Sequence, residues 1–402
     1  MLKKLLILII TAFVDMVGLL MVLPLMPYYA RTFGASALMV TLLVGSFTAA
    51  QLLSAPMWGR FSDRYGRRPA LLVGLGSAAI AYIVFAFANS LWLLLLSRVV
   101  QGAGGGTVGV IQAYVADATE PSSRAKALGW LSAATNVGVA LGPPLGSLAL
   151  LAGRSGPGLG AAGLCLINMV FAWKYLHESR DMQAARNTLK KPGASRAALV
   201  HVLTHAGEPG PRLIWIYAIA MGAFSGMTAI LALFLADRFG IGERRVWMFF
   251  TYIGTISVIS RAGILGWAVE RFGEARLSRI GLVLLATGLG SFPFVRNYLL
   301  LALVIACIPL GTAFTFPCVT SLLSRVIPNN ERGLYMGVQQ AYGGVARVVI
   351  PLWAGFSYDH FGKGVPFVTS SVLVLGSLFL GLGVDDGRKV KAAPEVVGEA
   401  AV

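Results

Sequence analysis

Charge is what this chain has least of. Asp, Glu, Lys and Arg make up only 12% of its 402 residues, against roughly 25% in a soluble globular domain. The shortage runs the whole length, so no water-exposed surface can be assembled from it, and the chain reads as a polytopic membrane protein. Acids are scarcer still, 17 against 33 Lys and Arg. Three cysteines, Cys165, Cys307 and Cys318, all fall in apolar runs without ligand-like spacing, so no disulfide framework and no metal site is expected. The four histidines (His177, His201, His205, His360) lie at loops or run ends, and no acid–His or Ser–His set shares a run; a membrane-embedded enzyme lacks its material. The glycine-rich "GAGGGT" has no lysine and sits inside an apolar run, so no phosphate loop and no ATP hydrolysis are expected.

What the chain has in abundance is apolar sequence, 56% of residues. Turn and charge signals cut it into twelve runs, at about 5–30, 37–58, 70–89, 91–116, 125–151, 157–176, 212–236, 246–269, 278–295, 297–324, 333–357 and 365–384, each near the twenty residues that span a bilayer. They are continuous rather than alternating, which argues against a β-barrel. The first run has no small-residue cleavage pattern and reads as a retained helix. The polar stretch 178–211 reads as a linker with a short surface helix at "SRAALVHVL", and 385–402 as a disordered tail. With the N-terminus cytoplasmic, 23 Lys and Arg fall on the cytoplasmic side and 7 on the other, leaving three inside runs. Both termini are therefore expected in the cytoplasm. Topology also accounts for the net charge of +16, so nucleic acid is not expected as a partner.

The chain repeats itself. "GRFSDRYGRRPAL" (Gly59 to Leu71) returns in paler form as "GWAVERFGEARL" (Gly266 to Leu277), offset by 207 residues at the glycines and acids. Arg124, Gly129 and Pro143 recur 208 residues later as Arg332, Gly337 and Pro351. Two six-helix halves, 1–177 and 212–384, follow; an even number of spans per half makes them parallel repeats about an axis along the membrane normal.

These motifs carry a resemblance. "GRFSDRYGRRPAL" resembles the signature loop of the major facilitator superfamily, and "RVVQGAGGG" (Arg98 to Gly106) its fourth-span motif. "GWLSAATNVGVALGPPLGS" keeps the fifth-span antiporter spacing at Gly129, Gly138, Gly142, Pro143 and Gly146, with Ser147 where a second glycine is usual. "DMVGLLMVLPLMP" resembles the first span of the twelve-span drug:proton antiporters. The resemblance implies an all-α membrane fold of two pseudo-symmetric six-helix bundles working by alternating access. It also implies a cytoplasmic latch in which Gly59, Asp63, Arg64, Arg67 and Asp117, with Glu270 and Arg271 in the second copy, hold the halves together. It places a smooth fifth helix at the interface between halves. In tetracycline exporters the eighth and ninth spans add a His and an Asp; neither is present here.

Four ionisable residues lie deep within runs: Asp15, Arg98, Arg261 and Arg347. A charge near the bilayer centre costs at least ~2.5 kcal/mol, so such residues usually face a cavity. Asp15 is the only acid among them and is the candidate proton-coupling carboxylate, with Arg98 as its regulator or, alternatively, its permanent ion-pair partner. Arg261 and Arg347 have no deep acid in their own half and suit an anionic or zwitterionic cargo. Gln101, Asn136, Phe224, Met227, Phe314, Gln339 and Gln340 complete the candidate cavity. The expected function is proton-coupled efflux of amphiphilic small molecules by a monomeric inner-membrane antiporter, powered by the proton gradient without a cofactor. The alternative is an organic-anion or lysolipid carrier using the arginines.

Overall fold

A computed structural model describes residues 2–105, 107–119, 121–178, 194–328 and 331–382. Residues 179–193 of the polar linker and the tail expected at 385–402 lie outside them. Among the described residues there is no β-strand. In lipid every backbone donor and acceptor must be satisfied within its own segment, and runs of this length and apolarity do so as helices.

Thirteen helical segments follow in order. The first half contains α1 (Leu2–Val22, continued through Leu23–Leu25 and Met26–Arg31), α2 (Ala37–Tyr65), α3 (Arg67–Ala86), α4 (Leu91–Ala103 and Thr107–Ala118), α5 (Pro121–Ala149) and α6 (Gly156–Tyr175). The linker helix α7 is Ala194–Thr204. The second half contains α8 (Pro209–Phe239), α9 (Trp247–Ile259, Ser260–Ile264 and Leu265–Phe272), α10 (Glu274–Ser291), α11 (Tyr298–Val326), α12 (Arg332–His360) and α13 (Val365–Leu380). Apart from α7, these coincide with the twelve apolar runs. Nine of the described helices are long and apolar enough to cross a membrane, with Leu91–Ala103 and Val365–Leu380 shorter apolar helices.

Local sequence sets the boundaries. Ser36, Ser90 and Asn297 accept hydrogen bonds from Met39, Leu93 and Leu300 and so cap α2, α4 and α11. Gly66 and Gly273, the paired glycines of the repeat, have φ of 104° and 76°, the region only glycine enters freely. They let the chain reverse between α2 and α3 and between α9 and α10.

Packing repeats as the sequence does. In the first half α1 packs on α5 and α3 on α6; in the second, α8 packs on α12 and α10 on α13. The halves meet through α2 against α12 and α5 against α9, which are equivalent pairs under the repeat. Close approach there needs small residues: a Cβ on Gly254 would stand 2.9 Å from the Ala140 Cα, and one on Gly355 2.1 Å from the Thr41 hydroxyl. α3, α6, α10 and α13 expose Ile80, Ile167, Val283 and Val372, as lipid-facing helices should.

The core is asymmetric along the membrane normal. One cluster runs through the second half and enters the first from mid-span, at Val17 and Ala78, to the end far from the termini, at Val22, Tyr29, Val40 and Phe85. The terminus-bearing end of the first half has its own cluster around Leu71, Ile111 and Leu131. Among the described residues the shared core thus lies toward the far end. The linker helix is not free on the surface: Val202 is fully buried, Tyr342 donates to the Leu199 carbonyl at 2.9 Å and Trp215 to that of Val202 at 3.3 Å, so α7 packs on the second half.

Candidate functional site

Two adjoining cavities lie between and beside the halves. The larger, about 290 Å³, takes walls from both: Leu19, Phe47 and Arg98 from the first, Phe224, Phe250 and Arg347 from the second. Among the described residues, no carboxylate lines it. The smaller, about 40 Å³, is lined by Asp15, Gln51, Tyr82, Gln101 and Thr107, and shares Leu19 and Phe47 with the larger.

Asp15 reaches this place through the glycine stripe of α5. A Cβ on Gly138 would lie 2.8 Å from the Phe13 carbonyl, one on Gly142 2.5 Å from the Leu20 Cβ, and one on Gly146 2.2 Å from the Met21 carbonyl. The stripe therefore faces α1 of its own half, not the other half as expected. Only hydrogen side chains let α1 come this close, and that contact sets the rotation presenting Asp15 to the cavity. Pro143 is buried beside the stripe, whereas Gly129 is exposed with nothing within 4 Å. Asp15 accepts a 3.0 Å hydrogen bond from the Thr107 hydroxyl.

Arg98 is 1% exposed, its guanidinium centre is 5.5 Å from the Phe85 ring centroid, and its three nitrogens have no hydrogen-bond partner. The permanent Asp15–Arg98 ion pair is not formed. A buried guanidinium without an acceptor, beside a cavity without a carboxylate, leaves five donors for whatever enters. Arg347 gives only its Nε, to the Gly343 carbonyl at 3.3 Å. Gln101 donates to the Tyr82 hydroxyl at 2.7 Å and belongs to the smaller cavity.

Other expected cavity residues sit elsewhere. Arg261 lies in the π-turn Ser260–Ile264 and donates to Asn136 Oδ1 at 3.5 Å, joining the halves across the α5–α9 contact. Neither lines the larger cavity. Met227 is 2% exposed and packs in the main core; Phe314 packs with Ala268, Leu277 and Cys318. Gln339 is buried and accepts from Thr320 at 3.3 Å, and Gln340 is exposed, 3.3 Å from the Tyr217 hydroxyl. In each case helix rotation, which residue type does not reveal, decides the outcome; Met221, one turn and a half before Met227, is the methionine that lines the cavity.

At the terminus-bearing end, Arg67 bonds Asp117 at 2.9 Å and Asp63 at 3.1 Å. All three belong to the first half, so these two ion pairs lie within it. Arg64 lies over the Tyr65 ring; Gly59 is exposed, with nothing within 4 Å of a Cβ; Glu270 and Arg271 are both exposed. The second copy uses different residues: Glu274 pairs with Arg325 at 2.8 Å. Glu274 and Arg325 stand 207 and 208 residues after Arg67 and Asp117. The repeat thus preserves the ion pair and exchanges its signs. Glu178 accepts from the backbone of Arg67 and Arg68 at 2.9 and 3.0 Å, capping α3.

Besides the Arg261–Asn136 bond, further bonds join the halves at the far end. Asp237, closing α8, takes a two-point bond from Arg31 (2.5 and 2.9 Å), one from Tyr358 (2.7 Å) and an ion pair from Lys363 (3.6 Å). Asp359 accepts from the backbone of Ala37 and Leu38 at 2.9 and 2.8 Å, capping α2 from the other half.

Comparison with known proteins agrees with this architecture. The profile described as Major Facilitator Superfamily matches residues 8–351 and 262–400. The chain is 25% identical over 369 residues to Tetracycline resistance protein, class B, of Escherichia coli, covering 91% of this chain and 90% of that one. It is 24% identical to Multidrug resistance protein 2 of Bacillus subtilis (strain 168), with 92% of each covered. The crystal structure of the human organic anion transporter MFSD10 (TETRAN) superposes with a TM-score of 0.72 at 23% identity, over 94% of this chain and 99% of that one. Twelve apolar helices in two repeated halves, a cavity between them and a profile match over nearly the whole length lead to one statement: this chain is a transporter, not an enzyme, and it belongs to the major facilitator superfamily.

Proposed function

We propose that this protein exports amphiphilic small molecules in exchange for protons, by alternating access across a cytoplasmic membrane, with both termini in the cytoplasm. The observation that carries the reading is the adjacency of the two cavities. A carboxylate in the smaller stands behind Leu19 and Phe47, the same side chains that wall the larger. Cargo in the larger cavity and a proton on Asp15 are then separated by one layer of side chains, close enough for each to alter the other's occupancy. The curated relatives named for tetracycline and multidrug resistance support export as the direction. Energy comes from the proton gradient.

The cycle follows from the contacts. With the far end clasped by Asp237 and Asp359, cargo enters from the cytoplasm between the terminus-bearing ends. Opening to the outside requires the far-end bonds to break and the terminus-bearing ends to close. Proton loading of Asp15 removes the charge that Thr107 solvates and changes which arrangement is favoured, a coupling free energy that acts both ways.

A second observation narrows the cargo. Arg98 and Arg347 face an apolar cavity without an acid, which suits an amphiphile with a carboxylate, phosphate or sulfonate at one end. The test uses purified protein in proteoliposomes with an imposed pH gradient, offered an anionic and a cationic fluorescent amphiphile. Gradient-driven movement of the anionic probe, abolished by Asp15→Asn, is the expected result. Movement of the cationic probe alone would discard the arginines as the cargo's partners; movement of either without a gradient would discard proton coupling.

A further inference from the structure

We infer that the start of the second half carries a binding site for a divalent transition ion of the Zn²⁺ type, formed by His201, His205 and Glu208. The inference is independent of the cargo and of proton coupling. Read alone, the sequence predicts no metal site: its cysteines are scattered and its histidines lie at loops or run ends. Folding brings three of the relevant side chains together.

His201 is in the last turn of α7 and His205 directly follows its end; the His205 N–H bonds the His201 carbonyl at 2.9 Å, which continues the turn and keeps the two side chains on one face. Their rings lie parallel, 4.4 Å apart between centroids. Glu208 follows just before α8, and its Oε2 is 3.5 Å from His201 Nε2. One donor atom from each of the three residues lies within 4.8 Å of the others. Ligands around a tetrahedral ion with 2.0–2.1 Å bonds are about 3.3 Å apart. Rotation about side-chain bonds closes the difference without moving the backbone.

The second ring nitrogens are already engaged. Thr204 donates its hydroxyl proton to the Val200 carbonyl at 3.1 Å, so its oxygen is left to accept from His205 Nδ1 at 2.8 Å. That fixes the proton on Nδ1 and leaves the lone pair on Nε2. Tyr335, on α12, meets His201 Nδ1 at 3.3 Å and leaves Nε2 toward Glu208. Metal-ligating histidines are commonly oriented in this way by a bond to the other nitrogen. Two imidazoles and one carboxylate suit Zn²⁺ and its neighbours, and not Mg²⁺, which takes oxygen ligands. A water completes the set.

An ion here would fasten α7 to the entry of α8 and, through Tyr335, to the start of α12. All three elements already pack together in the second half, so the bound ion would reinforce that corner of the bundle.

The full-length protein in detergent, stripped with EDTA, is titrated with ZnCl₂ by calorimetry and its melting temperature is followed with and without the ion. Saturable one-to-one binding that raises Tm is expected. His205→Gln, at an exposed position, and the double variant H201A/H205A should lose that binding and the Tm rise while melting like wild type in EDTA. Tyr335→Phe should weaken binding roughly tenfold, as loss of an orienting partner does. An excess of MgCl₂ should not compete. Equal Zn²⁺ binding by wild type and H201A/H205A, or no saturable binding by wild type, overturns the site; if the double variant melts abnormally in EDTA, the comparison is decided on H205Q.

Discussion

At the scale of single residues, the proposed chemistry rests on three positions, and all three stand out by residue type alone. Asp15 is an acid in a run that is otherwise apolar from Leu5 to Arg31, and a residue that expensive to bury is retained for a task. Arg98 and Arg347 follow by the same argument. Arg261 satisfies the same criterion and yet meets Asn136 across the halves rather than the cavity. The sequence places a charge at a depth in the membrane; it does not say which way the helix turns it. Asp15→Asn should retain cargo binding and lose at least about tenfold of gradient-driven transport, since only the ionisable form can exchange a proton. Removing a charged donor from an anionic headgroup costs about 1.5–3 kcal/mol, so Arg98→Gln and Arg347→Gln should each weaken binding of an anionic amphiphile roughly tenfold or more. Binding measured by tryptophan or ligand fluorescence checks this, with a neutral amphiphile as the control that should not change.

At the scale of elements, the spacing of the α5 glycines was readable and their partner was not. A stripe of small residues announces a close neighbour, but α1 and α9 both pack on α5, and only coordinates distinguish them. Gly142→Ala places a methyl 2.5 Å from the Leu20 Cβ and should cost about 1–3 kcal/mol by overpacking, lowering Tm and transport together. Gly129→Ala, in open space on the same helix, should leave both unchanged or raise Tm slightly, because alanine is the better helix former. Equal effects at the two positions would contradict the packing argument.

The inverted ion pair belongs to this scale too. Gly59 and Gly266 mark the repeat, and Glu270 and Arg271 match Asp63 and Arg64 by residue type. The pair that actually forms, Glu274 with Arg325, matches by position and opposes by sign. Aligning contacts rather than residue types would have found it. Glu274→Arg alone should destabilise the protein, because Glu274 is buried and leaves Arg325 facing a like charge. Adding Arg325→Glu should recover most of the loss, a coupling of about 1–3 kcal/mol read from a double-mutant cycle in Tm.

At the scale of the molecule, the number of spans, their two halves and their parallel repetition follow from hydropathy, from 23 against 7 basic residues and from one offset of about 207. The conformation does not. The far-end clasp joins Arg31 to Asp237 and Asp359 to Ala37, residues 206 and 322 apart in the chain, and nothing local in the sequence pairs them. Asp237→Asn should weaken the clasp by about 1 kcal/mol, the upper range for a partly exposed ion pair. That is roughly a fivefold shift toward the form open at the far end, to be read as a change in the distance distribution between spin labels on the ends of α1 and α8.

The most direct measurement is proton flux itself. Proteoliposomes loaded with a pH-sensitive dye are given an anionic amphiphile in the absence of any other gradient. If Asp15 trades its proton for cargo, wild type should show a pH change that depends on cargo, and Asp15→Asn should bind the same cargo and show none. An identical pH response from the two proteins would contradict the account.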